Sequence, residues 1–323
     1  MRSHALIVAG PTASGKSALA SSLAERLGGA VINADAMQLY RELRVLTARP
    51  TPDEEARVPH LLYGVRPAAE PASAAWWREA ALAAMAEAAR AGRLPILCGG
   101  SGLYLEVLLH GLSVIPPAKP EARTEARALL RGLGPAALHA RLAEVDPATA
   151  ARLRPSDSQR LARAWEVWRT TGQGLAAWQA GTRSTLSARR APGWQFTAIL
   201  LDPPRPALRA AIARRFAAML AAGALEEVRA LVSLGLDPAL PALRAHGVPE
   251  LAAYLAGQTT LETAAARAVL ATGQYAKRQA TWFRYHELAE PHRTRRIAAP
   301  VDAEEKFAGG KIADLATFVQ AAG

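Results

Sequence analysis

Apolar residues fall into short continuous runs towards both ends of the chain and recur at helical spacing elsewhere. Ala5-Leu6-Ile7-Val8-Ala9, Ala30-Val31-Ile32-Asn33, Pro95-Ile96-Leu97-Cys98 and Phe196-Thr197-Ala198-Ile199-Leu200-Leu201-Asp202 have strand length. Such runs mark strands buried on both faces, as in a parallel sheet covered by helices. Shorter strands are expected at 60–65 and 296–298. Helical spacing covers residues 18–27, 73–91, 103–109, 207–222, 224–234, 249–256 and 259–285, with a last helix from Ile312. Thr47 to Pro52 reads as a loop, because its two prolines break regular structure. The middle of the chain is different. Pro116, Pro117 and Pro120 mark a boundary. From there the pattern is helical at 121–131, 135–144, 147–153 and 157–171, with no strand signal. Residues 181–193 read as a flexible basic link, and Asp302 as the start of a turn. The expectation is an α/β core from 1–116 and 195–323, with an all-helical insertion at 117–194.

Charge sharpens that division. The net charge is +11, and residues 119–190 carry 12 Arg and 1 Lys against 6 acidic side chains, so +7 of it. A basic helical module points to a polyanionic partner, against the plainer reading of a solvated helical surface. One cysteine, Cys98, excludes a disulfide framework and fits a reducing compartment. No zinc spacing occurs among the seven histidines. Met1-Arg2-Ser3-His4 leads straight into the first strand, leaving no room for a signal peptide, and no apolar run reaches membrane length. The expected location is the cytoplasm. Trp76 and Trp77 fit core packing better than base stacking.

Gly10-Pro11-Thr12-Ala13-Ser14-Gly15-Lys16-Ser17 has the form G-x-x-x-x-G-K-[ST] between a strand and a helix. In that setting glycines let backbone N–H groups surround an anion, and the helix N-terminus adds partial positive charge. Lys16 supplies a full charge, and Ser17 a hydroxyl for Mg²⁺. The fold class is therefore α/β, a P-loop NTPase-like parallel sheet flanked by helices. Asp35, just past the second strand, is placed near the ligand crevice, or else is a plain helix cap. Gly99-Gly100-Ser101-Gly102 is a second glycine turn, expected to let backbone approach a ligand.

Further motifs give the chain a family likeness. Asp35-Ala36-Met37-Gln38-Leu39-Tyr40-Arg41, Thr47-Ala48-Arg49-Pro50, Gly99 to Tyr104, Asp157-Ser158-Gln159-Arg160-Leu161-Ala162-Arg163-Ala164 and Ala276 to Arg284 follow the phosphate loop in order. With it they resemble the bacterial tRNA dimethylallyltransferases. Departures are Ser101 for threonine, Ala36 for serine, Ala211 for arginine, and Arg244-Ala245-His246-Gly247-Val248-Pro249-Glu250 in place of the usual loop.

The resemblance implies transfer of a dimethylallyl group from its diphosphate to adenine N6 beside a tRNA anticodon. Asp35 would be the general base, with Thr12 and Arg215 also catalytic. Gly10 through Ser17 would bind the diphosphate with Mg²⁺ on Ser17, and Thr12 and Ser101 would donate hydrogen bonds near it. The tRNA anticodon stem-loop would meet Asp35, Ala36, Met37, Gln38, Ser101, Arg123, Gln159, Arg160, Leu161, Ala162, Arg163, Arg244, Lys277, Arg278 and Arg284, with Gln38 reading bases. The chain would act as a monomer. From the phosphate loop alone, a small-molecule kinase using ATP and a nucleic-acid-binding ATPase remain open.

Overall fold

The computed structural model describes residues 3–112, 115–186, 191, 193–298 and 309–322. Its chain divides into two compact units, Met1–Leu109 with Gly193–Gly323, and His110–Pro192. Six described strands make one parallel sheet: β1 (Ser3–Ala9), β2 (Gly29–Asn33), β3 (His60–Leu61), β4 (Leu94–Gly99), β5 (Trp194–Leu201) and β6 (Thr294–Ile297), in the order β3-β2-β4-β1-β5-β6. β1 lies between β4 and β5, with Val8 opposite Cys98 and Ile199. The carboxyl ends of β1, β2 and β4 therefore adjoin, where open α/β sheets hold their ligands.

Strand alternation sends side chains to two cores. Ala5, Ile7, Ala9, Ile32 and Leu97 pack on one face against α3 (Ala74–Arg90), α4 (Gly102–His110) and the end of α12 (Leu261–Tyr285). Leu6, Val8, Val31, Ile96 and Ile199 pack on the other against α1 (Lys16–Leu27) and α13 (Gly309–Ala322). Trp77 is fully buried, stacked on Tyr104 with ring centroids 4.4 Å apart, and its Nε1 donates to the Asn33 carbonyl. Its role is packing. A third core joins α9 (Arg205–Ala221), α10 (Ala224–Ser233), α11 (Val248–Leu255) and α12 to Tyr40, Leu43 and Leu46.

Local signals explain several boundaries. α2 (Pro52–Arg57) begins where a loop was expected to close, because Thr51 and Glu54 form a reciprocal capping box and Pro52 sits at the first turn, where a missing N–H costs nothing. No described helix is long and apolar enough to cross a membrane.

The second unit is helical throughout its described elements: α5 (Pro120–Val145), α6 (Pro147–Ala150), α7 (Ser158–Thr171) and α8 (Leu175–Leu186). Gly134 interrupts α5 at φ 78°, just before Pro135. Asp146 ties the unit together, accepting from the N–H groups of Thr149 and Leu175. α8 runs to Leu186, so the first part of the expected basic link is helical; residues 187–190 and Asp302 lie outside the described residues.

A cleft at the carboxyl ends of the strands

Two glycine turns leave the sheet side by side. The first follows β1. Gly15 takes φ 87° to start α1, a left-handed geometry that glycine adopts without strain. A Cβ on Gly10 would lie 2.8 Å from the Leu201 carbonyl oxygen, so this turn can press against β5. α1 carries no acid in its first turn, leaving its positive end uncompensated. The buried Ser14 hydroxyl has no hydrogen-bond partner. A buried orphan hydroxyl at the N-terminus of an uncompensated helix fits an anion. Lys16 is buried with Nζ 3.4 Å from the Pro11 carbonyl, and burial lowers its ammonium pKa against the raising influence of Asp35 and Cys98.

The second turn does something else. A Cβ on Gly99 would fall 2.1 Å from the Ala34 backbone, on Gly100 2.2 Å from Gln279 Nε2, and on Gly102 2.4 Å from the Trp282 ring. These glycines admit neighbouring parts of the protein, not the ligand expected there. Ser101 is only 9% exposed, and its Oγ accepts from the Ala36 N–H. It braces the Asp35 segment from behind.

Asp35 is held from below by fully buried Asn33. That amide donates to the carbonyls of Asp35 and Leu62 and accepts from the Asp35 N–H at 2.7 Å. One carboxylate oxygen of Asp35 accepts from the Met37 N–H at 3.0 Å. Asp35 is thus both the local cap and a cleft residue. The cleft, about 780 Å³ including its open mouth, is lined by Thr12, Lys16, Ser17, Asp35, Met37 and Gln38 on the strand side. Arg215 of α9 and, from beyond the expected set, His246 and Tyr275 complete it.

Arg215 is half-buried, 3.4 Å from the Thr47 carbonyl; burial lowers its pKa and Asp35 opposes the shift. Gln38 donates both amide hydrogens, to Thr47 and Ala48, leaving only Oε1 free for base reading. The Thr47 turn itself hangs on Glu227, which accepts from the N–H groups of Arg44, Val45 and Leu46 at 2.6–2.9 Å. His246 and Tyr275 stand 5.0 Å apart, tilted by 46°. Burial lowers the His246 pKa and raises that of Tyr275 to about 12, so both rings face the cleft uncharged at neutral pH. Ala211, where arginine was expected, is buried with Ala13 of the first turn. Cys98 lies beneath Lys16 and Ser17, its thiol pushed by burial to about 11.

Arg244, Lys277, Arg278 and Arg284 are exposed, and the Arg278 guanidinium lies over the Tyr275 ring of the cleft, 5.6 Å from its centroid. In the helical unit Arg123, Gln159 and Arg160 are exposed, Ala162 is half-buried, and Arg163 sits 3.4 Å from Glu166. Leu161 is fully buried in that unit's core. Its side chain packs against α5. Among the described residues no group of three or more His, Cys, Asp or Glu could hold a metal, so no all-protein cage surrounds the cleft. Ser17 alone fits the sparse donor set with which Mg²⁺ joins substrate phosphates.

Sheet, first turn and cleft together define a P-loop-like α/β protein. The IPP transferase family model matches residues 38–286. The tRNA dimethylallyltransferase of Granulibacter bethesdensis is 59% identical over 98% of this chain and 98% of its own. That of Acidiphilium cryptum is 57% identical over 97% of this chain and 94% of its own. Among solved structures, the full-length tRNA isopentenylpyrophosphate transferase from Bacillus halodurans superposes with TM-score 0.68 at 31% identity, covering 99% of this chain and 96% of its own. A eukaryotic dimethylallyltransferase acting on tRNA gives TM-score 0.71 at 25% identity, covering 87% of this chain and 70% of its own. The chain belongs to the IPP transferase family.

Proposed function

We propose that the protein transfers a dimethylallyl group from dimethylallyl diphosphate to N6 of the adenosine on the 3′ side of a tRNA anticodon. The observation that carries this reading is one cleft holding an anion cradle and a half-buried carboxylate, Asp35, in a chain whose relatives bear that activity. The C1–O bond of the donor breaks, the N6–C1 bond forms, and N6 loses a proton to Asp35. Charge grows on the leaving diphosphate, where the first turn's N–H groups, Lys16 and Arg215 stand ready; preset charges act most strongly where charge develops. Ser17 and the donor's own oxygens would hold Mg²⁺, which neutralises diphosphate charge when bound. The adenine must leave its stack to reach the cleft, since a stacked base hides N6 from in-line attack. The basic helical unit would grip the stem-loop backbone with Arg123, Arg160 and Arg163, while Lys277, Arg278 and Arg284 offer further phosphate contacts.

The test incubates the protein with an anticodon stem-loop RNA and labelled dimethylallyl diphosphate. Label in the RNA supports the reading; ATP hydrolysis with no labelled RNA overturns it in favour of a kinase or ATPase. Titrating RNA at several salt concentrations tests the grip. Arg160→Ala with Arg163→Ala should lower the log–log salt slope by roughly one to two, if each contacts one phosphate.

A further inference from the structure

Thr12 reaches across the first turn to α12. Its N–H donates to Gln279 Oε1 at 2.8 Å, and its hydroxyl lies 3.1 Å from the same oxygen. On the other side Gln279 Nε2 donates to the Gly100 carbonyl at 2.9 Å. These backbone partners fix the amide's orientation: an N–H demands the oxygen, and a carbonyl demands the nitrogen. The Thr12 hydroxyl therefore has one role toward Gln279, that of donor. Gln279 is 4% exposed, so water does not displace the hydroxyl from its amide oxygen. Ser101, next to Gly100, accepts from the Ala36 N–H. One buried polar chain thus links the first turn, the second turn and the Asp35 segment.

We propose that Gln279 is a positioning residue that consumes the Thr12 hydroxyl proton inside the protein, so that Thr12 presents its oxygen to the cleft only as an acceptor. A hydroxyl carries one proton and two lone pairs, and here the proton is spent. Thr12 then serves a group that donates, such as the adenine amino group, and not a bare diphosphate oxygen. This rests on the proposed prenyl transfer and reverses the donor role that the sequence suggests for Thr12.

Two variants of Gln279 and two of Thr12 test it, with circular dichroism confirming folding. Gln279→Glu can reproduce both bonds only when protonated, accepting from Thr12 and donating to Gly100. Its turnover relative to the parent should climb as pH falls towards the carboxyl's pKa, which burial beside a carbonyl raises above the ordinary value of about 4.3. A ratio flat across the pH range in which the introduced carboxyl is seen by NMR to titrate overturns the proposal. Thr12→Val should lower kcat by about tenfold or more while donor KM stays within about twofold, and adding it to Gln279→Met should cost little more than Gln279→Met alone. Thr12→Ser should keep most activity. A rise in donor KM at constant kcat, or fully additive losses, would make Thr12 a diphosphate donor independent of Gln279.

Calorimetric titration with inorganic pyrophosphate separates the two readings. Thr12→Val should bind pyrophosphate as the parent does, and weaker binding overturns the acceptor assignment even if no prenyl transfer is found. A parent that binds pyrophosphate but labels no RNA counts against prenyl transfer alone.

Discussion

The two glycine turns look alike in the sequence and do opposite things. Around the first, the buried Ser14 hydroxyl is unpartnered and Lys16 has one long contact at 3.4 Å; around the second, Gln279, Trp282 and the Ala34 backbone fill the space. Gly10 makes room for β5, as the second turn's glycines make room for their neighbours, but Gly15 alone stands beside open space. Asp35 lies between the two. It lines the cleft with the first turn, yet its segment is fastened by Ser101 of the second.

Removing that shared member should have the largest effect. Asp35→Asn is expected to lower turnover by about 10²–10⁴-fold with tRNA affinity retained, as for loss of a general base. Turnover within a few-fold of the parent would deny Asp35 the proton. Next comes Gly99→Ala, whose methyl meets backbone that no rotamer change can move. Overpacking of this kind costs about 1–3 kcal/mol, and a melting curve should fall by several degrees. An unchanged melting point would mean that the second turn is looser than the first.

Gly15→Ala inverts the comparison. Its methyl meets nothing within 4 Å, but φ 87° is unfavourable for alanine. The cost is about 1–2 kcal/mol, and it should appear as weaker diphosphate binding more than as a lost fold. Unchanged pyrophosphate binding in Gly15→Ala would erase the distinction between the turns.

The smallest effect is a pH limb. Burial lowers the Lys16 pKa from 10.5, so the free protein loses this charge at a lower pH than an ordinary lysine would. Pyrophosphate prefers the charged form. Affinity should therefore hold steady below the lowered pKa and decline as pH rises through it. Lys16→Arg should remove that decline, because arginine stays charged. A decline of equal size in both proteins would place the titration elsewhere.

The buried strands were legible because a parallel sheet covered on both faces needs continuous apolar runs. The first turn was legible because its chemistry is local: eight adjacent residues carry cradle, charge and hydroxyl. The far wall of the cleft is built from residues distant in sequence. Ala268, Thr272, Tyr275, Gln279 and Phe283 follow one helical face, three or four residues apart. Polar groups on an otherwise apolar stripe were the available signal, masked by the conspicuous run of cations at Lys277, Arg278 and Arg284. Glu227 gave no signal, since nothing near it indicates that its carboxylate will gather three N–H groups from residues 44–46. α2 was missed although Thr51 and Glu54 have capping-box spacing, because Pro52 was weighed as a breaker and not as a first-turn residue.

Cys98 has a practical side. It is the chain's one cysteine, is 2% exposed, and has a thiol pKa of about 11. At pH 7, four units lower, roughly one thiol in ten thousand is ionised, and alkylating reagents attack the thiolate. A cysteine engineered onto the exposed face of α7 would therefore take a fluorophore almost alone, with the native thiol left in place. The protein comes close to being a ready-made host for site-specific spectroscopy, with the label carried on the helical unit.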